Sequence, residues 1–208
     1  MNKLVLFLAA GFCLLLNGCH SATSVAESLD PMMAAYEYVL DHWQPVSSGD
    51  ARRGYNIAAV LVDPNGKILA KELNSVIALQ DCTQHAEMRL VQNYLAEHKC
   101  FNLNGCCVYA TLEPCAMCAA TMSMAGIRKV YYGQSDPEFG KAAERLSLDS
   151  SPQNGYKPYP RVLLSELCHS PMQRLLEEGF RKSGMKEITK WLATDDAKKI
   201  FLENLPDK

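Results

Sequence analysis

The chain has 208 residues, of which 48% are hydrophobic, 21% charged and 8% aromatic, with a formal net charge of −2. That composition excludes fibrous and disordered classes and fits one globular domain with its own core. No dense Lys/Arg cluster occurs in the body of the sequence, so the electrostatic footprint of a protein that grips long nucleic acid is missing.

Lys3 precedes an apolar run from Leu4 to Leu16, too short to cross a bilayer and of the length of a secretory h-region. The run leaves through Leu16-Asn17-Gly18-Cys19, which resembles the lipobox of bacterial lipoproteins, where cleavage precedes a Cys that is then lipidated. Residues 1–18 are therefore expected to be a signal peptide, Cys19 the first mature residue and a lipid anchor, and 19–29 a polar tether. The expected location is the periplasm or a membrane surface facing it. A plain secretory signal and a cytosolic protein with an apolar N-terminal helix are the alternatives.

Asp30-Pro31 followed by Met32, Met33, Tyr36, Val39, Leu40 and Trp43 predicts a first helix, with Asp30 as N-cap and Pro31 in the first turn. Ile57 to Val62 is a short apolar run rich in β-branched residues, and Asp63-Pro64-Asn65-Gly66 turns the chain into a second strand over Lys67 to Leu73. His85 to His98 reads as an amphipathic helix through Met88, Val91, Tyr94 and Leu95. Cys106 to Leu112 is a strand, Cys115 to Met124 a helix opened by Pro114, and Lys129 to Gly133 another strand. Residues 134–160 read as a long polar loop with a short helical piece. A fifth strand over Arg161 to Ser165 and helices over Pro171 to Lys182 and Ala193 to Asn204 complete the chain. This order predicts an α/β domain over residues 30–183, its later strands parallel through crossover helices, and a C-terminal helical extension over 184–208.

Nine cysteines are present. Apart from Cys13, Cys19 and the pair Cys115 and Cys118, the five others are Cys82, Cys100, Cys106, Cys107 and Cys168. In an oxidising compartment they form at most two intramolecular disulfides; buried free thiols are the alternative.

Chemistry concentrates in His85-Ala86-Glu87 and Pro114-Cys115-Ala116-Met117-Cys118, each at a predicted helix start with a strand between them. Two sulfurs three positions apart share a helix face, and the positive end of the helix favours their thiolate form. One imidazole and two thiolates supply three ligands to a tetrahedral zinc and leave a fourth position for water. An open position of this kind marks a catalytic site, and a carboxylate two residues from the His is placed to move that water's proton. Glu87 is the candidate shuttle. Such a site suits addition to an electron-poor ring carbon bearing an amino group, with loss of ammonia.

The two motifs together resemble the H-x-E…P-C-x-x-C pattern of the cytidine deaminase superfamily of zinc nucleobase deaminases. The resemblance covers roughly residues 55 to 135. The stretch Ala110-Thr111-Leu112-Glu113-Pro114-Cys115-Ala116-Met117-Cys118 is especially similar to the branch of tRNA adenosine and guanine deaminases. The resemblance implies His85, Cys115 and Cys118 as zinc ligands, Glu87 as proton shuttle, the Ala86 N–H lining the pocket and Asn74 hydrogen-bonding the substrate. It also implies a three-layer α/β/α sandwich with a mixed five-stranded sheet, and a homodimer.

Gln84, Cys82 and Gly126 depart from that branch's habits: Gln84 is expected to narrow the pocket or add a hydrogen bond, and Gly126 stands where tRNA enzymes carry Arg. The expected substrate is therefore a small nucleobase or nucleoside, either a purine such as guanine or cytosine and cytidine, and nucleic acid is not the expected partner. Contact with a membrane is expected only through Cys19. A nucleic-acid deaminase, including a secreted effector, and a non-catalytic exported disulfide protein are the competing readings. Glu113 reads as a supporting or surface group, Met117, Met122 and Met124 as core or subunit contact, and His42, His98 and His169 as solvated or capping histidines.

Overall fold

The computed structural model describes residues 25–127, 129–147, 162–167 and 171–205. The expected signal peptide, Cys19, Cys168 and His169 lie outside them, as do most of the tether and residues 148–161. Among the described residues no helix is long and apolar enough to cross a membrane.

A five-stranded mixed sheet forms the centre, in the order β2-β1-β3-β4-β5. Its strands are β1 (Ala58–Val62), β2 (Ile68–Leu73), β3 (Cys107–Leu112), β4 (Lys129–Gln134) and β5 (Leu163–Glu166). β1 pairs antiparallel with β2 and with β3, and β3-β4-β5 run parallel. All five residues of β1 are buried because helices cover both of its faces, which explains an unbroken apolar run instead of an alternating one. The hairpin turn closes on Asp63, whose Oδ1 accepts the N–H groups of Asn65 and Lys67, both at 2.8 Å.

Helices α1 (Val25–Asp41), α5 (Pro171–Ser183) and α7 (Asp195–Asn204) cluster together, α1 against β1 and β3 and α5 against β4. Helices α2 (Ala86–His98) and α3 (Ala116–Met124) pack on one another, α2 covering β1 and β2, and α4 (Ala142–Ser147) leans on α3. The three-layer α/β/α arrangement matches the sequence expectation.

The ends of several elements differ from it. α1 begins at Val25, so Asp30 is not a cap and Pro31 lies inside the helix, where its ring nitrogen leaves the Glu27 carbonyl without an intrahelical donor. Residues 25–29, expected as tether, are therefore helical. The segment expected as an extension belongs to the same core: α6 (Ile188–Trp191) and α7 bury Ile188, Trp191, Leu192, Ala197 and Phe201. Phe201 meets Tyr36 edge-on at 5.5 Å between ring centres and Trp43 at 5.3 Å, tying the C-terminus to α1. α6 was not foreseen, since four residues carry too little periodicity to read. Cys82, Cys100, Cys106 and Cys107 are all free thiols, so no disulfide joins them.

Because the last helix is core and not appendage, Phe201→Ala is expected to lower unfolding free energy by about 3–5 kcal/mol in urea titration. A loss below about 1 kcal/mol, the range of a surface substitution, would show the C-terminal helices to be dispensable.

Candidate metal centre and catalytic site

Two helix starts converge on one point. His85 is the N-cap of α2 and Cys115 the N-cap of α3, both in extended backbone with ψ of 155° and 170°. Cys115 had been expected inside its helix with Pro114 at the first helical position; instead Pro114 lies one residue outside the cap. Its fixed ring favours the extended conformation that carries the chain out of β3. Cys118 then falls in the first turn of α3 and points back beside Cys115.

The three ligand atoms form a small triangle. Cys115 Sγ lies 3.5 Å from Cys118 Sγ and 3.8 Å from His85 Nδ1, and Cys118 Sγ lies 3.6 Å from the same nitrogen. A tetrahedral zinc with Zn–S near 2.3 Å and Zn–N near 2.0 Å requires an S–S edge of about 3.8 Å and S–N edges of about 3.5 Å, so each edge of the triangle lies within about 0.3 Å of what the ion needs. Among the described residues this is the group of His, Cys and acidic side chains able to hold a metal.

The electrostatics of the cluster set its two sulfurs apart. The hydrogen bond between the two sulfurs holds the Cys115 thiol well below its ordinary value, with His85 adding to the effect. The same bond, with burial, pushes Cys118 up, while the hydrogen bond to Cys115 raises His85. Glu87 is buried in the first turn of α2, and desolvation lifts its carboxyl to about 7, against the opposing pull of its own backbone N–H and of His85.

A cleft of about 480 Å³ opens over this cluster, lined by Asn74, Cys82, His85, Glu87, Cys115, Asp136 and Phe139 among others. Asn74 sits just past β2, buried, its Oδ1 accepting the N–H groups of Tyr55 at 3.1 Å and Val76 at 3.4 Å. With the oxygen committed, the amide NH2 is the part of Asn74 available to the cleft. Its main chain is clamped as well: Arg53 Nη1 donates to the Asn74 carbonyl, and a Cβ on Gly54 would collide with Asn74, so only glycine fits there. The Ala86 side chain is fully buried and does not line the cleft; what Ala86 offers is the first N–H of α2, beyond the reach of intrahelical acceptors.

Residues 34–134 match the family described as cytidine and deoxycytidylate deaminase zinc-binding region. A tRNA-specific adenosine deaminase of Agrobacterium fabrum is 34% identical over 131 residues, 63% of this chain and 84% of that relative. One from Haemophilus influenzae is 27% identical over 174 residues, 81% of this chain and 98% of its own. A solved structure from a study of A-to-I editing by tRNA:A34 deaminases superposes with a TM-score of 0.50 at 30% identity, covering 66% of this chain and 89% of that one. The chain belongs to the cytidine and deoxycytidylate deaminase family. It is a zinc-type deaminase, and the His-Cys-Cys triangle is positioned to bind a metal.

Within this deaminase, several expectations about the cleft change. Gln84 does not narrow it: its Nε2 donates to Asp81 Oδ2 at 2.8 Å, inside its own loop. Cys82, by contrast, lines the cleft as an exposed thiol. Glu113 has a definite structural task, since its two oxygens accept the N–H groups of Asp136 at 3.0 Å and Lys141 at 2.8 Å. Asp136, Glu138 and Phe139 were missed altogether. Asp136-Pro137 carried the one available signal, an Asp-Pro turn start inside a segment read only as loop. Met122 is core, Met117 half-buried and Met124 70% exposed. His42 and His98 bond the carbonyls of Tyr38 and Tyr94 at the ends of their helices, as capping groups do.

Metal analysis of purified protein is expected to give about one zinc per chain, and Cys118→Ser is expected to lose it with little change in helical circular dichroism, since the site needs all three donors. Full zinc content in that variant would show that the triangle is not the metal site.

Proposed function

We propose that this deaminase acts on a small, uncharged nucleobase or nucleoside, a purine such as guanine or else cytosine or cytidine, and not on a polynucleotide. The observation that carries the reading is the charge of the cleft. Among its described lining residues are Glu113, Asp136, Glu138 and Glu187 besides Glu87, and neither Lys nor Arg. Phosphodiesters approaching such a rim meet a net negative charge, Lys190 beside it being already paired with Glu187 at 2.7 Å, whereas a neutral base carries amino and ring N–H donors that carboxylates accept. The net charge of −2 acts in the same direction.

The chemistry follows from where the groups lie. Zinc held by His85, Cys115 and Cys118 with one open position supplies, when bound, a water that is nucleophilic at neutral pH. Glu87 is held by α2 in a dry environment beside His85, so its carboxyl exchanges a proton near neutrality. It removes the proton from the attacking water and delivers it to the departing amino nitrogen. The net change adds the elements of water to the ring carbon and releases ammonia, leaving a carbonyl. Asn74, fixed through Tyr55 and Val76, presents its NH2 to an acceptor on the ring and fixes the ring's orientation.

Lys3, the Leu4 to Leu16 run and Cys19 support export with lipid attachment, which globomycin-sensitive processing and membrane fractionation test. The alternative of a tRNA deaminase is favoured by the names of the relatives above, and the substrate panel decides it.

In an ammonia-release screen over bases, nucleosides, nucleotides and tRNA, turnover is expected with bases or nucleosides, falling as phosphates are added. Turnover confined to tRNA would overturn the reading. Glu87→Gln is expected to keep zinc while losing roughly 10²–10⁴ in kcat, the usual weight of a general acid–base group. Asn74→Ala is expected to act chiefly on KM, by roughly tenfold, the loss of one hydrogen bond to a buried partner.

A further inference from the structure

Phe139 is a large apolar side chain that its own loop leaves in the open, 58% exposed while lining the cleft that holds His85 and Glu87. Burying a phenyl ring is favourable, so a mobile loop would tend to fold it inward. This loop is held. Asp136, itself buried, uses Oδ1 to accept the N–H groups of Glu138 at 2.8 Å and Phe139 at 3.1 Å, and its carbonyl accepts the Gly140 N–H at 3.0 Å. Glu113 grips both ends of the turn through Asp136 N–H and Lys141 N–H. Gly140 has Glu113 against it, so that a Cβ there would collide with the carboxylate, and Ala142 anchors the next turn at full burial.

We infer that Phe139 is the aromatic face on which the planar ring of the substrate stacks, and that Glu113 is the positioning residue that holds this face in place. The substrate class rests on the deaminase reading above. Stacking explains why the ring is kept exposed on a braced loop: a flat heteroaromatic ligand would cover it, recovering the lost burial only when bound. It also matches the rest of the lining, in which Asn74 and the carboxylates address the edge of a ring and Phe139 supplies an apolar face.

The test uses the full zinc-loaded chain, with the unaltered protein's best substrate and with purine and 2-pyrimidinone, rings that carry no amino group to lose. Phe139→Ala is expected to weaken ring binding by roughly tenfold or more in titration calorimetry and to raise KM by a similar factor, with kcat changed much less. Phe139→Tyr and Phe139→Trp are expected to stay within about threefold of the unaltered protein, because any aromatic face serves. Glu113→Ala is expected to raise KM in the same way, and Glu113→Gln, which keeps one acceptor oxygen, to fall between. Equal binding by Phe139→Ala, or failure of both rings to bind the unaltered protein, overturns the inference. So does a change in oligomeric state in Phe139→Ala with binding preserved, which would make the ring a subunit contact. If the unaltered protein binds the rings but releases no ammonia from any substrate, and Phe139→Ala abolishes binding, the stacking face stands and the deaminase reading falls.

Discussion

The metal triangle depends on two helices being made to begin at the same place. A helix start carries unpaired N–H groups and a positive partial charge, so bringing the starts of α2 and α3 together concentrates that charge at one spot. Groups able to carry negative charge relieve it, and such groups stand there: Cys115 at the cap, Cys118 in the first turn of α3 and Glu87 in the first turn of α2. The sheet order enforces the meeting. β3 delivers the chain to Cys115 at its carboxyl end, and β1, between β3 and β2, seats α2 alongside α3. Ligand crevices in α/β sheets form beyond the carboxyl ends of strands for this geometric reason.

Glu87 shows which of two opposing effects prevails. Its place in the first helical turn and the neighbouring His85 both favour the carboxylate, yet burial outweighs them and its proton is held to about 7. The chain thus keeps a carboxyl near neutrality without a second carboxylate pressed against it, and the price is a charged or polar group 4% exposed within the core.

The ligand set was legible in the sequence because each half of it is local. His85 and Glu87 are two residues apart, Cys115 and Cys118 three, and Pro114 marks the turn, so short-range geometry alone places them. The succession of strands and crossover helices along the chain was legible from apolar runs and their spacing for the same reason, whereas the order of the strands across the sheet was not. The rim of the cleft was not. Glu113 holds Asp136 and Lys141 from 23 and 28 residues away, and no periodicity announces a side chain that accepts two backbone N–H groups across such a gap. The C-terminal helices were misjudged through their polar surface: Trp191 and Phe201 are each nearly inaccessible, but they sit among Lys, Asp and Glu that face water. Pro31 misled in the other direction, since a proline is read as a helix start, and α1 tolerates it one and a half turns in.

Glu113 joins the metal centre to the rim of the cleft. It lies two residues before Cys115, so the turn that carries the first sulfur out of β3 also carries the carboxylate that fixes the rim loop. Glu113 N–H in turn donates to the Gln134 carbonyl at 2.7 Å, continuing the β3–β4 pairing up to the point where the rim loop departs. The metal and the loop bearing Asp136, Glu138 and Phe139 are therefore referenced to the same pair of parallel strands. A displacement of β4 against β3 moves the rim relative to the sulfurs, and a residue at 113 that cannot accept both N–H groups loosens the rim while leaving the triangle intact. Metal binding and substrate fit are thus mechanically adjacent but separable, the first set by the caps of α2 and α3 and the second by a single carboxylate between them and the loop.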